Sequence, residues 1–462
     1  MSQIETDYLV VGAGATGMAF VDTLIGESDA DVVMVDRRYR PGGHWLDAYP
    51  FVRLHQPSAC YGVPSRALGN DRIDDSGPNS GFYERSTAAE ICSYYERVLA
   101  EDLLPSGRVR FLPMTDYRGA DGDDHHVMSL VTGAETTIRV RRRLVDATYG
   151  QSSIPSRHKP EYDIDPGVRV IPPNDLVDLD AVPTGFTVLG AGKTAMDTCS
   201  WLLGQGVDPD RIRWIKPRDG WLTNRAFIQP LDQVGSVLQM QASYLESAAA
   251  CSDARDFALR LEATGVFMRI DPTVEPEVFR GATLSLSELE ELRSIENVVR
   301  HGRVRRIEAS QINFDDCSVP TDTEQVYVDC TAEGLRTMVP RPIFEPGRIT
   351  PQYVTAGIAP WSAATIAAVE ALGRDDAHKN SLCPPLPMTG QISSMPAVMA
   401  ANLAGTVARM SEPEVTTWND RCRLNPARGA GEHMDDPRVP AAFTSIVSNM
   451  GPAMENLGRI LS

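Results

Sequence analysis

Residues 7–20, DYLVVGAGATGMAF, and residues 186–197, FTVLGAGKTAMD, write one pattern twice: an apolar run, then Gly-Ala-Gly, then the start of a helix. A short run of branched apolar residues suits a parallel strand buried on both faces. Gly12 permits the tight turn that leaves the strand. Gly14 lets the backbone approach a pyrophosphate, and Gly17 lets the helix lie close to the strand. The helix then turns its positive N-terminal end toward the phosphates. A second apolar strand, DVVMVD, ends at Asp36, 19 residues after Gly17, where a carboxylate suits a ribose hydroxyl. Strand, glycines, helix, strand and acid in this order predict a dinucleotide-binding unit.

The second copy differs where it matters chemically. Gly190, Gly192 and Ala195 take the three glycine positions, and Lys193 and Thr194 open the helix KTAMDTCSWLLGQG. The next strand, RIRWIKPRDGW, carries no acid at its end and brings Lys216 and Arg218 instead. Cations there suit the 2'-phosphate of NADPH better than the bare ribose of NADH. Lys193 and Arg225 are further candidate phosphate contacts. Two dinucleotide sites in one chain imply hydride transfer from one to the other.

At 462 residues the chain has material for two or three domains. Its 44 basic and 62 acidic residues leave a net charge of -18, which repels phosphate backbones and anionic lipid and argues against nucleic-acid or membrane partners. No run approaches the roughly 20 apolar residues that span a bilayer, and no signal-peptide pattern opens the chain. The eight cysteines, at 60, 92, 199, 251, 317, 330, 383 and 422, form no CxxC or CxxxxC pair. They fit a reducing compartment, so the cytoplasm is the expected location. No metal site is expected; DDHH at 123–126 sits in a predicted hairpin turn.

After Asp36 comes RRYRPGGHW. This segment resembles the one that follows the acid in flavin-containing monooxygenases and their Baeyer–Villiger relatives, where it lies along FAD. The resemblance implies an α/β fold with two Rossmann-like dinucleotide-binding domains, FAD first and NADPH second. It is glutathione-reductase-like, with the NADPH domain inserted into the FAD domain. Arg37 or Arg38 then contacts adenosine or phosphate, and Gly43, His44 and Trp45 run along the cofactor. Asp146-Ala147-Thr148-Tyr149-Gly150 resembles the family's crossing into the NADPH domain, with Thr148 beside FAD. Asp329-Cys330-Thr331-Ala332 resembles the return crossing. The expected divisions are 1–150 and 332–462 for the FAD domain and 151–331 for the NADPH domain. FVRLHQPSACYGVPS, at 51–65, follows GGHW where the family places L-x-x-N. Gln56 takes the asparagine position, His55 is a candidate proton carrier, and Arg53 is a candidate stabiliser of a reduced, anionic flavin.

The resemblance implies transfer of oxygen from a C4a-peroxyflavin to a small organic molecule, with molecular oxygen as co-substrate. The family's F-x-G-x-x-x-H fingerprint is absent. Its region reads IDPGVRVIPPNDLVDLDAVPTGF, with Asn174 or Asp175 near the histidine position. That departure keeps open a flavin reductase, dehydrogenase or peroxide-producing oxidase, and a redox-sensing flavoprotein. Residues 232–300 read as largely helical, a covering layer more than a channel wall. GADGDD at 119–124 reads as the turn of a β-meander, and Pro360 or Ser362 as the start of a helix aimed at the flavin. A homodimer is the default assembly.

Overall fold

The computed structural model describes residues 2–334, 337–355 and 357–462. The chain opens with β1 (Ser2–Val11), α1 (Ala15–Glu27), β2 (Val32–Val35), β3 (Val109–Leu112), β4 (Thr115–Asp121), β5 (Asp124–Ser129) and β6 (Glu135–Asp146). The branched run of β2 is buried at every residue, as a parallel strand covered on both faces requires. In parallel register, Val10 and Val11 face Met34 and Val35 on one side and Val145 and Asp146 on the other. β4 and β5 form an antiparallel hairpin against β6. Here the expected turn shrinks: 119–121 continue a strand, and the reversal falls at Gly122, φ +61°.

The chain continues through β7 (Arg169–Ile171), β8 (Phe186–Leu189), α2 (Lys193–Gly204), β9 (Ile212–Ile215), β10 (Gly220–Asn224), α3 (Val234–Ala250), β11 (Phe267–Met268), β12 (Val278–Leu284), α4 (Leu286–Arg293), β13 (Val298–Val299) and β14 (Val326–Asp329). A second parallel sheet runs β13-β9-β8-β14-β7, and β10 carries β11 and β12 on its two sides. The Ser285 hydroxyl and the Glu288 carboxylate close a capping box on α4. β15 (Phe344–Glu345) and β16 (Arg348–Ile349) return to the first sheet beside β6. α5 (Ala359–Ala371), α6 (Asp376–Leu382), α7 (Met395–Met410) and α8 (Arg438–Leu461) follow.

Each sheet has its own apolar core. α5 is apolar nearly all round and buried from Ala363 to Val369, as befits a helix packed inside one of them. A third core joins Leu245 and Ala248 of α3 to Met395, Met399 and Leu403 of α7 and to Ala453 and Leu457 of α8. The architecture is α/β with two Rossmann-like units. No helix among the described residues is long and apolar enough to cross a membrane.

Candidate functional site

The two glycine loops fold alike. Gly12 N–H donates to the Val35 carbonyl at 2.8 Å, and Gly190 N–H to the Ile215 carbonyl at 3.0 Å. Ala147 N–H reaches Val11 at 3.0 Å, and Cys330 N–H reaches Leu189 at 2.9 Å. Gly12 and Gly190 have φ of +104° and +128°, which favour glycine. A Cβ on Gly17 would stand 1.9 Å from the Gly12 carbonyl oxygen. The second unit accepts Ala195 at that position and buries it completely.

The first loop opens on a cavity of about 1270 Å³, lined by Gly12, Gly14, Asp36, Gly43, Trp45 and Thr148 among others. Backbones 14 and 43 touch there: a Cβ on Gly43 would lie 2.8 Å from the Gly14 Cα. Two helix N-termini without a side-chain cap face the cavity, that of α1 at Gly14–Thr16 and that of α5 at Ile358–Pro360. Their unpaired N–H groups and dipoles favour negative charge. α5 thus starts beside Pro360. Ser362 instead turns inward, its hydroxyl 2.8 Å from that of Thr355. Asp36 accepts from Ala13 N–H at 2.6 Å and from Arg38 N–H at 2.8 Å, which fixes the carboxylate and leaves lone pairs for a hydroxyl. Trp45 donates its indole N–H to Tyr61 at 2.7 Å. Burial and the charge of Arg38 lower the pKa of His44, whose ring remains open to the cavity.

His55 and Gln56 line the same cavity, and the Gln56 amide has no side-chain partner among the described residues. Residues 49–56 also reach the second unit. Tyr49 donates to Asp197 at 2.7 Å, Phe51 stacks on Trp201 with centroids 4.9 Å apart, and Arg225 reaches the His55 carbonyl at 3.4 Å. Asp197 is ion-paired with Lys193 at the start of α2. Burial, then the charge of Lys193, bring His55 down to about 4, so its imidazole is neutral near pH 7.

Four sequence expectations are corrected. Arg53 does not reach the cavity: its backbone bridges Thr87, its side chain points to solvent, and its guanidinium donates to the Arg85 carbonyl at 3.0 Å. Arg37 is 73% exposed and pairs with Asp116 at 3.6 Å, while the next residue, Arg38, lines the cavity and holds Asp47. Lys216 is buried, ion-paired with Asp219 and set over the Trp214 ring at 4.8 Å. Arg225 is fully buried and shares Glu288 with Arg85, at 2.6 and 3.1 Å. Lys216 is thus spent on Asp219, and Arg225 is held with Arg85 around one buried carboxylate and is not among the residues that line the cavity. Arg218 forms no ion pair among the described residues, and the neighbouring charges of Arg280 and Arg303 bear on it. Gly190, Gly192, Lys193, Thr194, Ala195 and Arg218 lie outside the large cavity; Gly192 is exposed at the start of α2, which no side chain caps.

Sequence reading missed the far wall of the cavity. α3, expected as cover, lines it, together with one face of α7 and part of α8. The signal lay in α7, where Met395, Met399, Asn402, Thr406 and Arg409 recur at helical spacing.

No protein-family model matches the chain. The protein named "Uncharacterized protein Rv2000" from Mycobacterium tuberculosis strain H37Rv is 47% identical over 463 residues, covering 99% of this chain and 85% of that relative. "Uncharacterized protein Mb2023" from Mycobacterium bovis matches to the same extent. Among solved structures, an oxidized steroid monooxygenase bound to NADP has a TM-score of 0.51 at 14% identity, over 80% of this chain and 85% of its own. At that identity the likeness shows the fold alone. A flavin-containing monooxygenase from Stenotrophomonas maltophilia covers 90% of this chain and 99% of its own, at 14% identity and a TM-score of 0.45.

Proposed function

The chain belongs to the same family as the mycobacterial proteins Rv2000 and Mb2023, and we propose that it is an FAD-dependent, NADPH-using monooxygenase of a small organic molecule. The observation that carries this reading is the first cavity. Two uncapped helix N-termini and the Gly14–Gly43 contact converge on it, and it continues to His55 and Gln56. Gly12, Gly14 and the start of α1 would hold the FAD pyrophosphate, and Asp36 a ribose hydroxyl. Gly43, His44, Trp45 and Thr148 would run along the cofactor. Gly190, Gly192, Lys193, Thr194 and Ala195 would hold the pyrophosphate of NADPH, and Arg218 its 2'-phosphate.

A bound FAD would supply an acceptor for the nicotinamide hydride and a route for its electrons to molecular oxygen. The chain's own groups set the conditions. The start of α5 favours negative charge in the cavity. The Gln56 amide offers both a donor and an acceptor. His55, neutral near pH 7, orients a partner by hydrogen bonding rather than by charge.

One observation favours a second reading, a peroxide-releasing oxidase or reductase. Asn174, near the family's histidine position, spends its Nδ2 on the Asp47 carbonyl at 3.2 Å. The test reduces the purified protein with NADPH without oxygen, mixes it with oxygenated buffer and follows the flavin spectrum and peroxide. A slow return through a lasting intermediate spectrum, with peroxide appearing only as that spectrum decays, supports oxygen transfer. An immediate return with stoichiometric peroxide supports the second reading. A protein that takes up no flavin refutes both.

A further inference from the structure

We propose that Tyr49 and Asp197 are positioning residues that carry the arrival of a phosphate at the second glycine loop to His55 and Gln56 in the large cavity. The proposal rests on the oxidoreductase reading, in which that phosphate is the pyrophosphate of NADPH.

Lys193 is the first residue of α2, whose N-terminus no side chain caps. A cation there is opposed by the helix dipole. Its ammonium turns back onto one oxygen of Asp197, one turn along the helix, and both side chains are largely buried. A pyrophosphate seated on the free N–H groups at that start would set a second counter-charge beside Lys193.

The other oxygen of Asp197 belongs to the first unit. The Tyr49 phenol donates to it at 2.7 Å, and the Thr194 hydroxyl stands beside the same phenol. One carboxylate is thus divided between a lysine of the nucleotide loop and a tyrosine of the 49–56 segment. When a phosphate draws Lys193 off, Tyr49 is the remaining side-chain donor to Asp197 among the described residues. A hydrogen bond to an ionised acceptor is strong, and losing its competitor draws the phenol closer.

Tyr49 does not move without its neighbours. It is buried, and Phe51 stacks on Trp201, one turn beyond Asp197 on the same face of α2. Further along, Leu54, His55 and Gln56 line the cavity. The Leu54 N–H, bonded to the Ser86 carbonyl at 3.0 Å, is the pivot between the two ends. Beyond it the hold is looser: Arg85 and Arg225 reach the Leu54 and His55 carbonyls at 3.3 and 3.4 Å, past the usual range for such bonds. The charges of Lys193 and Asp197 also bear on His55 directly, beside those of Arg225 and Arg85. A displaced Lys193 therefore changes the field at the imidazole even where the backbone stays.

The test titrates 2'-phospho-ADP-ribose into the flavin-loaded protein. This probe carries the pyrophosphate of NADPH and no nicotinamide, so any change it makes in the flavin spectrum passes through the chain. Calorimetry gives its affinity, and the absorbance difference at saturation gives the size of the shift. Wild type should show a shift. Tyr49→Phe should keep the affinity within about threefold and lose about two thirds of the shift, since it removes one hydrogen bond that the probe does not touch. Asp197→Asn keeps an oxygen for the phenol and frees Lys193; it should bind the probe about tenfold tighter, with a shift reduced as far. It carries the test if Tyr49→Phe fails to fold. A merely structural role would lower thermal stability and leave the shift per bound probe in place. A full shift in either variant, an affinity loss in Tyr49→Phe that matches its loss of shift, weaker probe binding by Asp197→Asn, or a flavin-loaded wild type that binds the probe without a shift would each overturn the proposal. A wild type that takes up no flavin, or no probe, refutes the oxidoreductase reading, and the inference falls with it.

Discussion

Gly17→Ala tests the packing on which the first unit depends. The new Cβ would fall 1.9 Å from the Gly12 carbonyl oxygen, well inside any carbon–oxygen contact. That oxygen belongs to the loop whose N–H is already bonded to Val35, so the strain cannot leave through a rotating side chain. α1 must shift away from β1 by about 1 Å, although Gly17 through Leu24 are buried along it. Overpacking of this kind costs about 3 kcal/mol, the upper part of the usual range. Spread over the unfolding entropy of 462 residues, at about 2.1 cal/mol/K each, it lowers Tm by about 3 °C. The reverse change in the second unit, Ala195→Gly, frees space and costs about 1 kcal/mol through helix propensity. Thermal unfolding followed by circular dichroism compares the two variants, and absorbance after gel filtration compares their retained flavin. Gly17→Ala should lose both stability and flavin, and Ala195→Gly neither to the same degree. Equal Tm values, or a Gly17→Ala protein as yellow as wild type, would refute the reasoning.

Glu288→Gln leaves Arg85 and Arg225 buried without a carboxylate, which should cost about 3–5 kcal/mol in chemical denaturation. Burial pushes the Glu288 pKa up, but Arg225, Lys193 and Arg85 outweigh it and hold the group near 2; its stabilisation is present above the unfolded pKa of 4.5 and is lost as pH falls through 2. His55, held near 4, takes up its proton later than the unfolded chain does. Wild type should therefore lose up to about 2 kcal/mol between pH 8 and pH 5 that His55→Asn does not, measured by urea titration at each pH. Arg218→Ala should raise the KM for NADPH about tenfold and leave that for NADH within twofold, as loss of one charge-assisted hydrogen bond implies; equal effects on both coenzymes in steady-state assays would reject Arg218 as a 2'-phosphate contact.

Local spacing in the sequence already determined the two βαβ units. A branched run, glycines at set offsets and a helix start require only neighbours in the chain, and Gly12, Gly17, Gly190 and Ala195 show the backbone contacts those offsets demand. The order of the two sheets followed from the same signals. What depended on distant segments was decided only in three dimensions. Lys216 is next to a strand end in sequence, but burial beside Asp219 and Trp214 takes its charge away from any nucleotide. Arg53 and His55 are two residues apart, yet the bridge to Thr87 turns one outward while the fold sets the other on the cavity. The far wall of the cavity depends on α3, α7 and α8, which are far apart in the chain and meet through a shared apolar core. A pattern in sequence reports which face of a helix is apolar; only packing decides whether that face meets another helix or encloses a space for something else.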